Sequence, residues 1–297
     1  MHIFFNAKTT DDVRRKELYK GALFVQPPSP YALKLCQLAK ELIQEAFHPL
    51  DPLTLHEIMP VASCVEKLAI LKPEFIHHPK SKEFIQGMLV EAGCDPEKTY
   101  FDVPRLRTAF PGEYLKSGIA YAFHPHRDTW YSAPFCQINW WMPVYPLNPQ
   151  NCMAFHPFYW DNALKNTSSG YNYQKWNLES RHSAAQHVKT DTRVQPKAEE
   201  PVQMEPQLRL ICEVGAPFLF SAAQLHSTVP NTSPFIRYSI DFRTVHLDDV
   251  LNRVGAPNVD SACTGTTMGD YLRSTDLTHL PAEALKIYAD DGVVQSN

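Results

Sequence analysis

Phe218-Leu-Phe-Ser-Ala-Ala-Gln-Leu-His226, then Val229-Pro-Asn-Thr-Ser233, then Phe235-Ile-Arg-Tyr-Ser-Ile-Asp-Phe-Arg243 is the stretch that decides the fold. Its middle segment is strong turn chemistry. The stretch therefore predicts two antiparallel strands, the first carrying a histidine near its end and the second an inward arginine. Side chains alternate along a strand. Arg237, Ser239, Asp241 and Arg243 thus share one face, while Ile236, Tyr238, Ile240 and Phe242 share the other. A polar face on an otherwise apolar strand points to a wet or ligand-filled barrel interior.

Similar runs, rich in aromatic and β-branched residues, extend upstream. They are Ile119 to Phe123, Phe135 to Val144, Cys152 to Phe155, Leu208 to Val214 and Pro217 to Phe220, with Phe235 to Val245 as the last. Short strands at this spacing, with few long helices between them, predict an antiparallel barrel or jelly roll. A parallel βαβ sheet is disfavoured. Before residue 100 the texture is mainly helical, apart from a short strand at Gly21–Val25. Ser29-Pro30 supplies a cap and a first-turn proline for a helix whose Leu35, Leu38, Ala39, Leu42, Ile43 and Ala46 fall on one face. A second helix is expected over Ser81–Ala92, with Gly93 closing it, and a third is expected to open at Asp51-Pro52. With no repeat and no linker, the chain reads as a single domain, 1–297. Its parts are a helical 1–99, a barrel core 100–247 with a polar insert at 161–207, and an extension 248–297. The insert carries Tyr171, Tyr173 and Trp176, and a loop that long inside a compact domain reads as a lid.

Composition removes several function classes. Twenty-eight Lys and Arg against 32 Asp and Glu give a formal net charge of −4, with no basic surplus for a phosphate backbone, so nucleic-acid binding is not expected. No apolar run approaches a membrane span, and the opening residues lack the pattern of a secretory signal. The 7 cysteines show no close pairing. Reduced, mostly buried thiols in a cytoplasmic protein are expected.

The chemistry concentrates in Phe123-His-Pro-His-Arg-Asp-Thr-Trp-Tyr131. On a strand, His126 and Asp128 would point to one face and could ligate one metal, with a third ligand from elsewhere. A chain with 13 histidines produces a chance His-x-Asp match about once. The second match, His246-Leu247-Asp248, is read as such a coincidence at a strand end. The first match has a sequel in His226 and, eleven residues later, Arg237. Two histidines and one carboxylate form the facial triad of non-haem Fe(II) oxygenases, and an arginine nearby can fork onto a carboxylate.

This order, His-x-Asp, distal His, then Arg, resembles the Fe(II)/2-oxoglutarate-dependent dioxygenases, and most nearly their phytanoyl-CoA dioxygenase-like branch. Arg237-Tyr238-Ser239 looks like that superfamily's Arg-x-Ser motif. The resemblance covers roughly Tyr100 to His246 and the helices before it. It implies a double-stranded β-helix, that is, a jelly-roll or cupin-like barrel with N-terminal helices packed on it. It also implies Fe(II) held by His126, Asp128 and His226, with 2-oxoglutarate as co-substrate anchored by Arg237 and Ser239, and O2 as oxidant. The implied activity is oxidation of a C–H bond in a small molecule, hydroxylation first among its forms, with release of succinate and CO2. Asp128 stands where the family's halogenases carry a small residue, which argues for an oxygenase.

Other positions remain in contention. Arg243, on the same face, rivals Arg237 as the anchor or pairs with Asp241 or Asp248. Gln137 and Asn139 either point inward, contacting 2-oxoglutarate or substrate, or decorate an outer face. Asn151-Cys-Met-Ala-Phe-His-Pro157 resembles a family strand, with Cys152 where glycine is usual, making His156 a candidate substrate contact. Tyr173 and Trp176 are candidates to cover the substrate, which the insert's polarity makes a polar small molecule. His124 is a lesser competitor for the metal. Two other functions stand beside the oxygenase. One is a zinc-type metallohydrolase using the same three ligands. The other is a non-catalytic jelly-roll binding module.

Overall fold

The computed structural model describes residues 1–121, 124–187 and 191–289. Eleven strands form among them: β1 (Ile3–Phe5), β2 (Leu23–Val25), β3 (Thr99–Phe101), β4 (Arg105–Ala109), β5 (Ile138–Pro143), β6 (Met153–Phe155), β7 (Leu208–Leu210), β8 (Phe218–Ser221), β9 (His226–Thr228), β10 (Arg237–His246) and β11 (Leu272–Arg273). Eight belong to one mixed sheet, ordered β1-β2-β8-β5-β10-β3-β11 with β4 also on β10. The other three form a smaller antiparallel sheet, β7-β6-β9.

The period-two pattern of β10 sorts two environments. Tyr238, Ile240 and Phe242 enter a core with Trp140 and Met142 of β5. Helices pack on that side: α1 (Asp11–Tyr19), α2 (Pro30–Phe47), α3 (Val61–His77) and α4 (Pro79–Glu91). Trp140 stacks on Phe242 with centroids 5.5 Å apart and donates its indole N–H to Thr244 Oγ1 at 2.9 Å, so its polar atom is satisfied although buried. Truncating a ring such as Phe242 in this core would cost about 3–5 kcal/mol. The opposite face of the large sheet meets the small sheet through Val25, Trp141, Phe218 and Phe220 against Met153, Phe155 and Leu210. The polar row of β10 lies on this inner side, because Asp241 is registered with Trp141 and Arg243 with Asn139.

Helix α2 begins as its sequence dictates, with Ser29 Oγ accepting from the Ala32 N–H at 3.3 Å and Pro30 in the first turn. Helix α4 starts two residues earlier than expected, at Pro79, and Gly93 follows it at φ +75°. Three expectations need correction. Asp51-Pro52 opens only a turn and a short 3-10 segment at Leu55–Glu57, and the third helix is Val61–His77, which carries Pro73 inside it. The strand expected from Ile119 is a 3-10 turn, Gly118–Ala120, entered through Gly118 at φ +59°; Ala122 and Phe123 lie outside the described residues. The run ending in His226 is not one strand. β8 stops at Ser221 and His226 opens β9 in the other sheet, so β9 and β10 are not hairpin partners.

Within the insert, α5 (Tyr173–Glu179) is a seven-residue helix capped by Asn172. The extension holds α6 (Leu247–Leu251), β11 and α7 (Ala282–Ala289). No helix of the described residues is long and apolar enough to cross a membrane. All seven cysteines carry free thiols, Cys212 alone half-exposed.

Candidate metal centre

Two backbone hydrogen bonds bring the proximal and distal histidines together. The His126 N–H donates to the His226 carbonyl and the His226 N–H to that of His126, both at 3.0 Å, and this exchange makes an isolated antiparallel bridge. Asp128 is not on a strand; it starts the 3-10 turn Asp128–Tyr131. The turn still returns its carboxylate to the two imidazoles. Oδ1 lies 3.5 Å from His126 Nε2 and 3.9 Å from His226 Nε2. Among the described residues, these three form the group of His, Cys, Asp and Glu side chains able to hold one metal ion, their ligand atoms within 4.8 Å of one another.

Tautomer and charge both suit a cation. Each Nδ1 faces a carbonyl two residues earlier, His124 O at 2.8 Å for His126 and Gln224 O at 3.0 Å for His226. Each Nδ1 is therefore held as an N–H, which leaves Nε2 as the nitrogen that would ligate a metal. Burial, reinforced by His126, pushes His226 down to about 3, so its ring is neutral. Burial alone would raise the Asp128 carboxyl. The hydrogen bond with His126 and the charge of Arg243 outweigh it and hold that group well below the usual carboxylate range.

Gln137 and Asn139 do point inward, and the structure ties both to Asp128. Asn139 Nδ2 donates to Asp128 Oδ2 at 2.7 Å and Gln137 Nε2 to the same oxygen at 3.1 Å. Tyr271 of the extension donates its hydroxyl to Gln137 Oε1 at 2.7 Å. Arg243 sits 3.9 Å from Asp128 Oδ2 but pairs with Asp102 at 3.0 Å, and Asp241 is 4.0 Å away. One carboxylate oxygen is thus committed to protein donors and the other is turned to the histidines. Sequence reasoning missed Asp102 and Tyr271, since nothing in their local pattern marks them.

At the far end of β10, Arg237 is 5% exposed and Ser239 fully buried. The guanidinium donates to the carbonyls of Asn151 and Cys152, both at 3.2 Å, and lies over the Trp141 ring. Among the described residues no carboxylate pairs with it, and its Nε has no hydrogen-bond partner; neither has Ser239 Oγ. Burial lowers this arginine to about 10. A buried cation and a neighbouring hydroxyl without an anion are unstable as they stand. They fit a carboxylate, as the two carbonyl-locked imidazoles and the ionised Asp128 fit a divalent cation.

His156 is buried, with Nε2 3.0 Å from Ser227 Oγ, one position out of phase with the Phe155–His226 pair. Burial lowers it to about 4. Because the folded value lies below the ordinary one near 6.5, the stabilisation from keeping this ring neutral is whole above about pH 6.5. It is lost as pH falls toward 4. Replacing His156 with Gln is expected to make the acid loss of stability about 3 kcal/mol shallower by pH 4. Denaturant midpoints of both proteins across pH 4–7 measure this, and parallel curves would show that the ring takes up its proton without cost.

Tyr173 and Trp176 join an aromatic row that reaches His126. His126 meets Tyr131 at 5.5 Å, Tyr131 meets Tyr171 at 5.4 Å, and Tyr171 meets Trp176 at 6.4 Å, with Trp176 stacked on Tyr173. Tyr173 also bonds Asp270 of the extension. His124 is exposed and contributes its carbonyl. His246 ends β10, and Asp248 beyond it pairs with Lys98 at 2.9 Å.

No protein-family model matches the chain, and no curated protein sequence does. Among solved structures, EvdO2 from Micromonospora carbonacea var. aurantiaca is similar at 11% identity and TM-score 0.45, over 83% of this chain and 94% of that one. EctD from S. alaskensis with bound Fe is similar at 15% and 0.40, over 84% and 83%. The non-heme alpha ketoglutarate dependent epimerase SnoN from nogalamycin biosynthesis is similar at 12% and 0.38, over 80% and 84%. Likenesses this distant leave the chemistry to be read from the side chains.

Proposed function

We propose that the protein is an Fe(II)- and 2-oxoglutarate-dependent oxygenase built on a double-stranded β-helix, acting on a small molecule. The observation that carries the reading is a pairing within one inner face. Two carbonyl-locked histidines and an ionised Asp128 stand at one end. At the other end, a buried arginine has no carboxylate to answer it among the described residues. Bound there, Fe(II), 2-oxoglutarate and O2 would supply oxidation of a C–H bond, with succinate and CO2 released.

The chain's own residues do the remaining work. His126, Asp128 and His226 hold the cation, and Gln137 and Asn139 keep Asp128 turned to it. Arg237 and Ser239 bind the distal carboxylate of the co-substrate, and the aromatic residues around them exclude water. Tyr131, Tyr171 and Trp176 line the approach from the insert. The helical 1–99 backs the barrel and the described extension, 248–289, braces it, so these parts act as one unit.

The test is an anaerobic titration of metal-free protein with Fe(II) and then 2-oxoglutarate. A weak visible band that needs both supports the reading. Binding of Fe(II) or Zn2+ without such a band replaces it with a zinc-type hydrolase, and absence of metal binding leaves the histidines structural.

A further inference from the structure

Arg127 lies between His126 and Asp128 on extended backbone, φ −109° and ψ 143°, so its side chain leaves by the face opposite to theirs. It is 1% exposed, and every nitrogen of its guanidinium is engaged. Nε donates to Asp260 Oδ2 at 3.0 Å, Nη1 to the Ala223 carbonyl at 2.6 Å, and Nη2 to the carbonyls of Tyr159 and Asn162. Asp260, whose side chain is 4% exposed, also accepts from Trp130 Nε1 at 2.7 Å and from the Leu164 N–H at 3.0 Å. The proposed reaction uses neither residue.

The connections matter because of where they lead. Ala223 sits in the turn between β8 and β9, three residues before His226. One planar fork therefore grips the segment that carries His126 and Asp128, being part of it, and the segment that delivers His226. Asp260 supplies the charge that lets this guanidinium stay buried, and it fastens the insert at Leu164 to the same point. We infer that Arg127 and Asp260 are positioning residues that set the spacing between the His126–Asp128 pair and His226. The inference rests on the metal reading above, and it makes the extension after residue 247 part of the metal site.

Outer partners of metal ligands typically change metal affinity by about 10–100-fold when removed. Full-length metal-free protein is titrated with Co(II) alone, recording affinity, the visible d–d band and the thermal midpoint. Asp260→Asn is expected to weaken Co(II) binding by about tenfold or more and to change the band. Arg127→Lys, which keeps the charge but loses the fork, is expected to do the same. Unchanged affinity and an unchanged band in folded Asp260→Asn, whatever its thermal midpoint, overturn the inference and leave the pair a plain structural strut. Should Asp260→Asn not fold, Trp130→Phe removes only the 2.7 Å donor on Oδ1; it is expected to shift the band, and a wild-type band overturns the inference. Failure of the wild-type protein to bind Co(II) more tightly than His226→Ala overturns the metal reading as well, so the two failures are distinguishable.

Discussion

Asp128→Ala is expected to lower Fe(II) affinity by more than about a hundredfold and to leave no measurable turnover, because it removes one of the three proposed protein ligands where even outer partners cost about 10–100-fold. The thermal midpoint of the metal-free protein should move little, since Arg243 keeps Asp102 at 3.0 Å. Asp128→Asn is the sharper variant. Its amide would set an N–H or a neutral oxygen against the donors of Gln137 and Asn139, which meet at one carboxylate oxygen in the native protein. It should lose the metal nearly as completely as alanine while preserving volume. Calorimetric titration with Fe(II) under argon measures both, and full activity in either variant would remove Asp128 from the metal site.

Arg237→Met is expected to weaken 2-oxoglutarate binding by about a hundredfold or more, with Fe(II) affinity unchanged. Losing one partner of a buried, hydrogen-bonded charge pair costs about 2–5 kcal/mol, and each 1.4 kcal/mol is about tenfold. Arg237→Lys should fall between, keeping the charge without the fork. The same substitution carries a sign that separates a ligand role from a structural one. Without ligand, this cation is buried and unpaired among the described residues, so replacing it with an apolar side chain should leave the metal-free protein as stable or more so. A loss of about 3 kcal/mol with 2-oxoglutarate binding intact would make Arg237 a strut. If Arg243→Met weakens 2-oxoglutarate instead, the anchor is Arg243.

The sequence was most legible where one element repeats a single rule over many residues. β10 alternates for ten residues, and its apolar half fills the helix-backed core while Arg237, Ser239, Asp241 and Arg243 face inward. The α2 start was equally legible, since Ser29 and Pro30 are local chemistry. Reading failed where short segments are decided by distant partners. β9 is three residues long and exists because β6 pairs with it, so nothing local separates it from β8. Val61–His77 hid behind Pro73. At the site, His126, Asp128, His226 and Arg237 could be proposed from spacing. The roles of Gln137, Asn139, Tyr271 and Asp260 could not, because each acts across a gap of nine to 134 residues.

β10 has one further consequence. It is held along its length by β5 on one edge and by β3 and β4 on the other. Such a strand has no slack: slipping by one residue turns every inward side chain outward, and the next allowed position lies two residues, about 7 Å, away. The reach from Asp128's neighbour Arg243 to Arg237 is therefore graduated in coarse steps, like notches on a rule. If Arg237 anchors a carboxylate as proposed, the length of acid accepted is adjusted by side chains such as Arg237, because the backbone offers no intermediate setting.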